Sequence, residues 1–296
     1  DCQSSWVGIT ANERAEVFAF AEDYKDFIAK ARTELSFVTE ALAFAEENGF
    51  SELTPFNHRE LHLMALVFYS ATITAGATQV LIPAGLETPY GRCVRVSGGE
   101  LREITEHHTQ QKALLMDVTG DQLKIEFTFD TVAANYPETI FQPKQSKYTR
   151  YAGDLVSEIQ EVAGDLEGYA LLKKIACHVA GRFTYGHPET PFNIATDIIP
   201  AIGCGMVEGS CVDINTYFLA ALRSVGIEAG YITGFFFPEE KKNRCDDGHC
   251  WVVTRLNGEV LEWDIAHHLK MGTRDIDAGL NPKPGKRFGC FHSMGL

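Results

Sequence analysis

At 296 residues, 45% hydrophobic and 22% charged, the chain has the length and apolar content for two domains with their own cores. Its formal charge of −14 argues against nucleic acid as a partner, because phosphate neutralisation needs clustered Lys and Arg, and no run reaches the roughly 18 apolar residues of a membrane span. The eight cysteines are scattered with no CxxC pair, unlike the disulfide framework of a small secreted domain, so free thiols and a cytoplasmic setting are expected. The chain begins at Asp1, which leaves room for a leader removed before it.

From Asn12 to Asn48, residues Phe20, Tyr24, Phe27, Ile28, Leu35, Val38, Leu42 and Phe44 recur at near-helical spacing and Gly49 closes the run. Residues 1–60 are therefore read as an N-terminal helical segment, packed on the rest of the protein or serving as an arm for a homo-oligomer. From Leu61 to Tyr136 the runs Leu63 to Thr74, Gln79 to Ile82, Cys93 to Val96, Leu114 to Val118 and Lys124 to Phe129 are broken by turns such as Ser97-Gly98-Gly99 and Thr119-Gly120-Asp121. Several strands at short spacing predict a β-rich, sandwich-like domain over 61–140. Past Pro143, helical patterns at Leu155 to Val162 and Tyr169 to Phe183 lead into a long loop, Gly186 to Gly209. It holds Pro188, Pro191, Pro200, Gly203 and Gly205, which marks it as a cleft wall.

Ser210 is a good N-cap residue and Asp213 stands at capping-box spacing, so a helix should begin at Cys211. Ile214, Phe218, Ala221, Leu222 and Val225 form its apolar stripe, and Gly226 ends it. A thiol in a first helical turn meets unpaired amide N–H groups and the positive end of the helix dipole. Both favour thiolate, and the amides can also stabilise an oxyanion. Next, Ala229 to Phe237 is aromatic and β-branched, closed by Pro238, and reads as a strand; polar Glu239 to Gly248 reads as a solvated loop.

Asn257-Gly258 between Trp251 to Leu256 and Glu259 to Asp264 is the preferred two-residue hairpin turn. Leu256 should then face Glu259, Trp251 should face Asp264, and His249 should face Ala266. His249 and Asp264 become diagonal neighbours on one side of the sheet, with Cβ atoms roughly 7 Å apart. A slip of one residue would put them on opposite faces. A carboxylate that holds one ring nitrogen of His249 leaves the other free for the Cys211 proton, which is the arrangement of nucleophilic catalysis.

The segments Gly209-Ser210-Cys211-Val212-Asp213, Ala221 to Ala229, Gly230-Tyr231-Ile232-Thr233-Gly234, Gly248-His249-Cys250-Trp251 and Trp263-Asp264 resemble the core of the bacterial transglutaminase-like superfamily. The likeness extends upstream to Gln142 to Thr149 and Phe183-Thr184-Tyr185. It implies a papain-like fold with Cys211 as nucleophile, His249 as base and Asp264 as orienter. Two positions depart from the pattern: Cys250 replaces the small residue usual after the histidine, and Ile265-Ala266-His267-His268 replaces the usual Pro-Thr after the aspartate.

The resulting expectation is an α+β protein. Residues 141–296 form a transglutaminase-like catalytic domain, with a nucleophile helix on an antiparallel sheet. Its activity is acyl transfer from an amide, a peptide or amino-acid conjugate, through a thioester, with hydrolysis favoured. Transfer to an amine is one alternative, and a non-enzymatic binding protein with a silent core is another. The partner is a peptide or small amide, with no nucleic acid, membrane or cofactor. Metal binding is the rival chemistry. His107-His108, His267-His268, Cys204, Cys245, Cys250 and Cys290 are soft ligands, but none falls at structural-zinc spacing and adjacent histidines on a strand point apart, so no metal is expected. Cys250 is read as packed behind His249, with oxidation of Cys245 or Cys250 as the alternative.

Overall fold

The structure is a computed structural model that describes residues 64–72, 76–107, 109–120, 122–130, 134–142, 149–193, 197–241, 245, 248–279 and 282–293, without the side chains of 64–72, 94 and 130. The N-terminal helices expected within 1–60, the segment 143–148 and His108 lie outside the described residues. Residues 63–296 cluster as one compact unit.

Six strands come first: β1 (Met64–Thr72), β2 (Gln79–Pro83), β3 (Arg92–Ser97), β4 (Leu101–Thr105), β5 (Lys112–Asp117) and β6 (Gln122–Asp130). They make two antiparallel three-stranded sheets, ordered β1-β6-β3 and β2-β5-β4. Five of the six fall on the predicted runs. β4 does not, because Leu-Arg-Glu-Ile-Thr is mostly exposed and polar and forms by pairing with β5. Ile82 and Met116 of one sheet share a core with Ile125 and Phe127 of the other.

The part of the chain that follows opens with α1 (Gly153–Ala163) and α2 (Gly168–Arg182). Two short strands that no sequence period announces, β7 (Phe183–Tyr185) and β8 (Val207–Gly209), then pair in parallel. Gly186 N–H donates to the Gly209 carbonyl at 2.9 Å. The proline-rich excursion 186–209 is thus tied at both ends, directly before Ser210. Gly209 is required there: a Cβ on it would lie 2.7 Å from the Phe183 ring.

Helix α3 (Cys211–Ser224) starts and stops where its signals lie, with the Ser210/Asp213 capping box formed and Gly226 at φ +80° after its end. The Ile227 and Gly226 N–H groups return to the Leu222 and Arg223 carbonyls and complete a Schellman ending. β9 (Ala229–Pro238), β10 (Gly248–Leu256), β11 (Glu259–Trp263) and β12 (Gly285–His292) form an antiparallel sheet ordered β11-β10-β9-β12. Ile214, Phe218 and Leu222 of α3 are buried with Tyr231, Val252 and Trp263 of this sheet, α1 and α2 covering the helix with Leu155, Ile159 and Ile175. Each such side chain contributes about 1.5–3 kcal/mol by leaving water.

The Asn257-Gly258 turn has both residues at positive φ, 53° and 85°, as the hairpin requires. Leu256 faces Glu259, and the register runs unbroken to Val252 opposite Trp263. There the hairpin expectation ends. Asp264 does not oppose Trp251, nor Ala266 His249, because β11 stops at Trp263 and Asp264 becomes the N-cap of helix α4 (Ile265–Lys270). The Asp264 carboxylate accepts from the His267 N–H, and that cap competes successfully with continued strand pairing. His267 and His268 therefore stand on a helix, not on a strand as the reading of adjacent histidines assumed.

Candidate active site

The sulfur, ring and carboxylate expected from sequence do meet. Cys211 is the first residue of α3, so its own N–H has no intrahelical acceptor. His249 lies near the start of β10 opposite Gly234 of β9, where a Cβ on residue 234 would come within 1.9 Å of the Phe288 carbonyl of β12. Only glycine lets β9 and β12 close up at this level of the sheet. His249 Nε2 donates to Asp264 Oδ2 at 2.8 Å, and the same ring interacts with the Cys211 sulfur. Cys211 is 8%, His249 6% and Asp264 0% exposed, so the charges between them act with little solvent screening.

Electrostatics follow from the contacts. The neighbouring Cys250 thiol, together with the interaction and charge of His249, overcomes the cost of burial and holds the Cys211 thiol down at about 4. Burial works against charge on His249, but the Asp264 carboxylate beside it outweighs that cost and raises the ring above its ordinary value. Asp264 is wholly buried, yet Arg287 and His249 keep it well below the usual carboxylate range. A thiolate beside an imidazolium is the stable pairing here.

Three residues of the site escaped the sequence reading. Arg287 of β12 bonds Asp264 Oδ2 through Nη2, with its side chain 3% exposed. His267 of α4 places Nδ1 2.8 Å from the same oxygen and stacks on His249, ring centroids 4.2 Å apart and planes 7° from parallel. Burial lowers the His267 pKa against the pull of the Asp264 carboxylate. Asn215, one turn along α3 from Cys211, donates from Nδ2 to the Cys250 carbonyl at 3.0 Å and reaches its sulfur at 3.5 Å. Arg287 gave no signal because Gly285–His292 mixes glycines with charge and shows no strand alternation. Cys250 is buried in the core beside His249, as expected, and its sulfur lies on the helix side near Cys211, Asn215 and Tyr231.

The ligand atoms of His249, Asp264 and His267 lie within 4.8 Å of one another, which is close enough for a metal ion. The donor set argues otherwise. Asp264 Oδ2 already carries the Arg287 guanidinium, so the cluster's negative charge is compensated and a divalent ion would face a fixed cation. Among the described residues, His107, Cys204, Cys245 and Cys290 join no comparable group. Among the described residues, Cys93, Cys177, Cys204, Cys211, Cys245, Cys250 and Cys290 form no disulfide.

A model of the transglutaminase-like superfamily matches residues 155–263. Among solved structures, the chain is similar to a proposed cysteine protease from Cytophaga hutchinsonii, at 13% identity over 79% of this chain and 89% of that one, with a TM-score of 0.46. It is also similar to the periplasmic domain of TgpA from Pseudomonas aeruginosa bound to ethylmercury, at 14% identity over 67% and 74% of the two chains, with a TM-score of 0.36. A third likeness is to a proposed protease from Parabacteroides distasonis, at 12% identity over 67% of this chain and 39% of that one, with a TM-score of 0.29. No curated protein matches the chain.

Proposed function

Because residues 155–263 of this chain form a transglutaminase-like superfamily domain, whose members are usually cysteine hydrolases or transferases, we propose that it is a cysteine-nucleophile enzyme that cleaves an amide through a thioester. One observation carries this reading: a single ring, His249, sits between a helix-start thiol with which it interacts and a buried carboxylate 2.8 Å away to which it is hydrogen-bonded. The Cys211 thiolate attacks the carbonyl carbon. The oxyanion that forms accepts from the Cys211 N–H, which α3 leaves without an intrahelical acceptor. His249, protonated and held by Asp264, gives its proton to the departing nitrogen, and the amine leaves as the thioester forms. Water, deprotonated by His249, then attacks the thioester and returns the thiolate.

Hydrolysis is the favoured resolution because it needs only water at the thioester, whereas transfer needs a second seat for an amine. The substrate is a peptide or amino-acid conjugate. The test is a burst experiment with 4-nitrophenyl acetate, followed by intact-protein mass measurement and by turnover of fluorogenic peptides. A stoichiometric burst, an acetyl adduct on Cys211 and loss of both in Cys211→Ala are expected. A protein that neither bursts nor acylates is a binding protein with a silent core. Incorporation of dansylcadaverine in place of hydrolysis would turn the assignment to amine transfer.

A further inference from the structure

The Asp264 carboxylate is more crowded than an orienter needs. Oδ2 accepts from His249 Nε2 and from Arg287 Nη2, and His267 Nδ1 lies 2.8 Å from it. Oδ1 is occupied by the His267 N–H. The arginine comes from β12, the edge strand beside β9, outside the stretch that matches the superfamily model. Its guanidinium lies 4.9 Å from the Trp251 ring centroid and 5.2 Å from that of Phe236, so two aromatic faces fix where the charge sits. Beyond it, Tyr90 donates to Glu262 at 2.5 Å. The groups that face His249 are Cys211 of α3, Asp264 at the β11–α4 junction, His267 of α4 and Arg287 of β12; Phe236 of β9 and Trp251 of β10 are uncharged.

We propose that Arg287 is a positioning residue of the Cys211–His249–Asp264 site, which draws on the carboxylate that holds His249 and so makes the protonated ring a stronger acid toward the departing amine. A fully available buried carboxylate would stabilise the imidazolium so firmly that its proton would be given up slowly. A fixed cation on the same oxygen reduces that hold. It also keeps Asp264 ionised when His249 is neutral, so the proton shuttles on the ring and never onto the acid. Arg287 acts on His249 through Asp264 and by its charge, and it touches no reacting atom.

This inference rests on the thiolate–imidazolium reading of the site, and the experiment separates the two. Iodoacetate is an anion, so its reaction with Cys211 needs the thiolate and is helped by the neighbouring imidazolium. The rate should rise through the thiol's ionisation and fall as His249 loses its proton. If the intact chain shows no such falling limb, the catalytic reading itself fails. If the limb is present, Arg287→Met should move it upward by about one pH unit and leave the acid limb in place. Arg287→Lys, which keeps a cation beside Asp264, should hold it near its original position. A limb that stays put in Arg287→Met, or moves equally in Arg287→Lys, overturns the proposal, because a purely structural arginine would lower the melting temperature without moving the limb. Should Arg287→Met fail to fold, Arg287→Gln, which keeps a planar N–H donor between the two rings, decides the question on the same criterion.

Discussion

The Cys250 thiol lies beside the sulfur of Cys211, and its interaction with that sulfur is the largest influence holding the Cys211 thiol down at about 4. Strand alternation produces it. His249 and Cys250 are consecutive on β10 and point to opposite sides, so one chain segment presents a base at the rim and an S–H donor toward the start of α3. Burial and the neighbouring Cys211 push Cys250 well above its ordinary value, which keeps it a donor.

Cys250→Ala should therefore weaken the nucleophile without touching the His249–Asp264 bond. A hydrogen bond to a charged acceptor is worth about 1.5–3 kcal/mol, or roughly one to two pH units of the thiol's ionisation. Iodoacetamide labelling of Cys211 at pH 5 should slow by about two- to tenfold, and Cys250→Ser should recover part of the loss. An unchanged labelling profile in Cys250→Ala would return Cys250 to a packing role.

The pH window of reactivity has a definite sense. The thiol pKa of about 4 means that thiolate accumulates above that pH, and the raised His249 pKa means that imidazolium persists past the ordinary histidine value, so the pair exists between the two. Asp264→Asn removes the charge that raises His249 and should pull the upper boundary down while cutting turnover by about 10³–10⁴-fold, by analogy with other orienting aspartates. The check is turnover against pH on a peptide found to be cleaved. An upper boundary that does not fall in Asp264→Asn would mean that Asp264 does not set the ring's charge.

Trp263 couples stability to site geometry. It is fully buried, lies edge-on to Phe218 at 6.0 Å, stacks near Tyr169 at 5.9 Å, and donates from Nε1 to Thr254 Oγ1 at 3.0 Å. It is also the residue before Asp264. Trp263→Ala should cost about 3–5 kcal/mol in urea unfolding, and the folded fraction should lose reactivity at Cys211 because the carboxylate has lost its anchor. A loss below 1 kcal/mol would show that α3 and the sheet do not depend on this side chain.

Sequence disclosed the parts of the site whose information is local. The start of α3 is written in Ser210 and Asp213, the two ends of a four-residue capping box. The β10–β11 register is written in Asn257-Gly258, since both residues accept positive φ and the period of two carries the pairing along. The His249–Asp264 contact survived even though its derivation was wrong in detail: the chain turned into α4 after Trp263, and the carboxylate reached the ring from a cap. Arg287 and His267 were illegible because they enter through tertiary pairing, Arg287 from an edge strand added 23 residues after the acid and His267 from a helix too short to show a period. β7 and β8 were missed for the same reason, as three residues carry no alternation to read.

The parallel pairing of β7 with β8 closes a ring of chain whose two ends are stapled one residue before the cap of α3. Whatever length or composition the stretch from 186 to 209 takes, the staple returns the backbone to the same point, and the sulfur that follows inherits a fixed address. Substitutions within that ring should therefore leave the position of Cys211 unchanged.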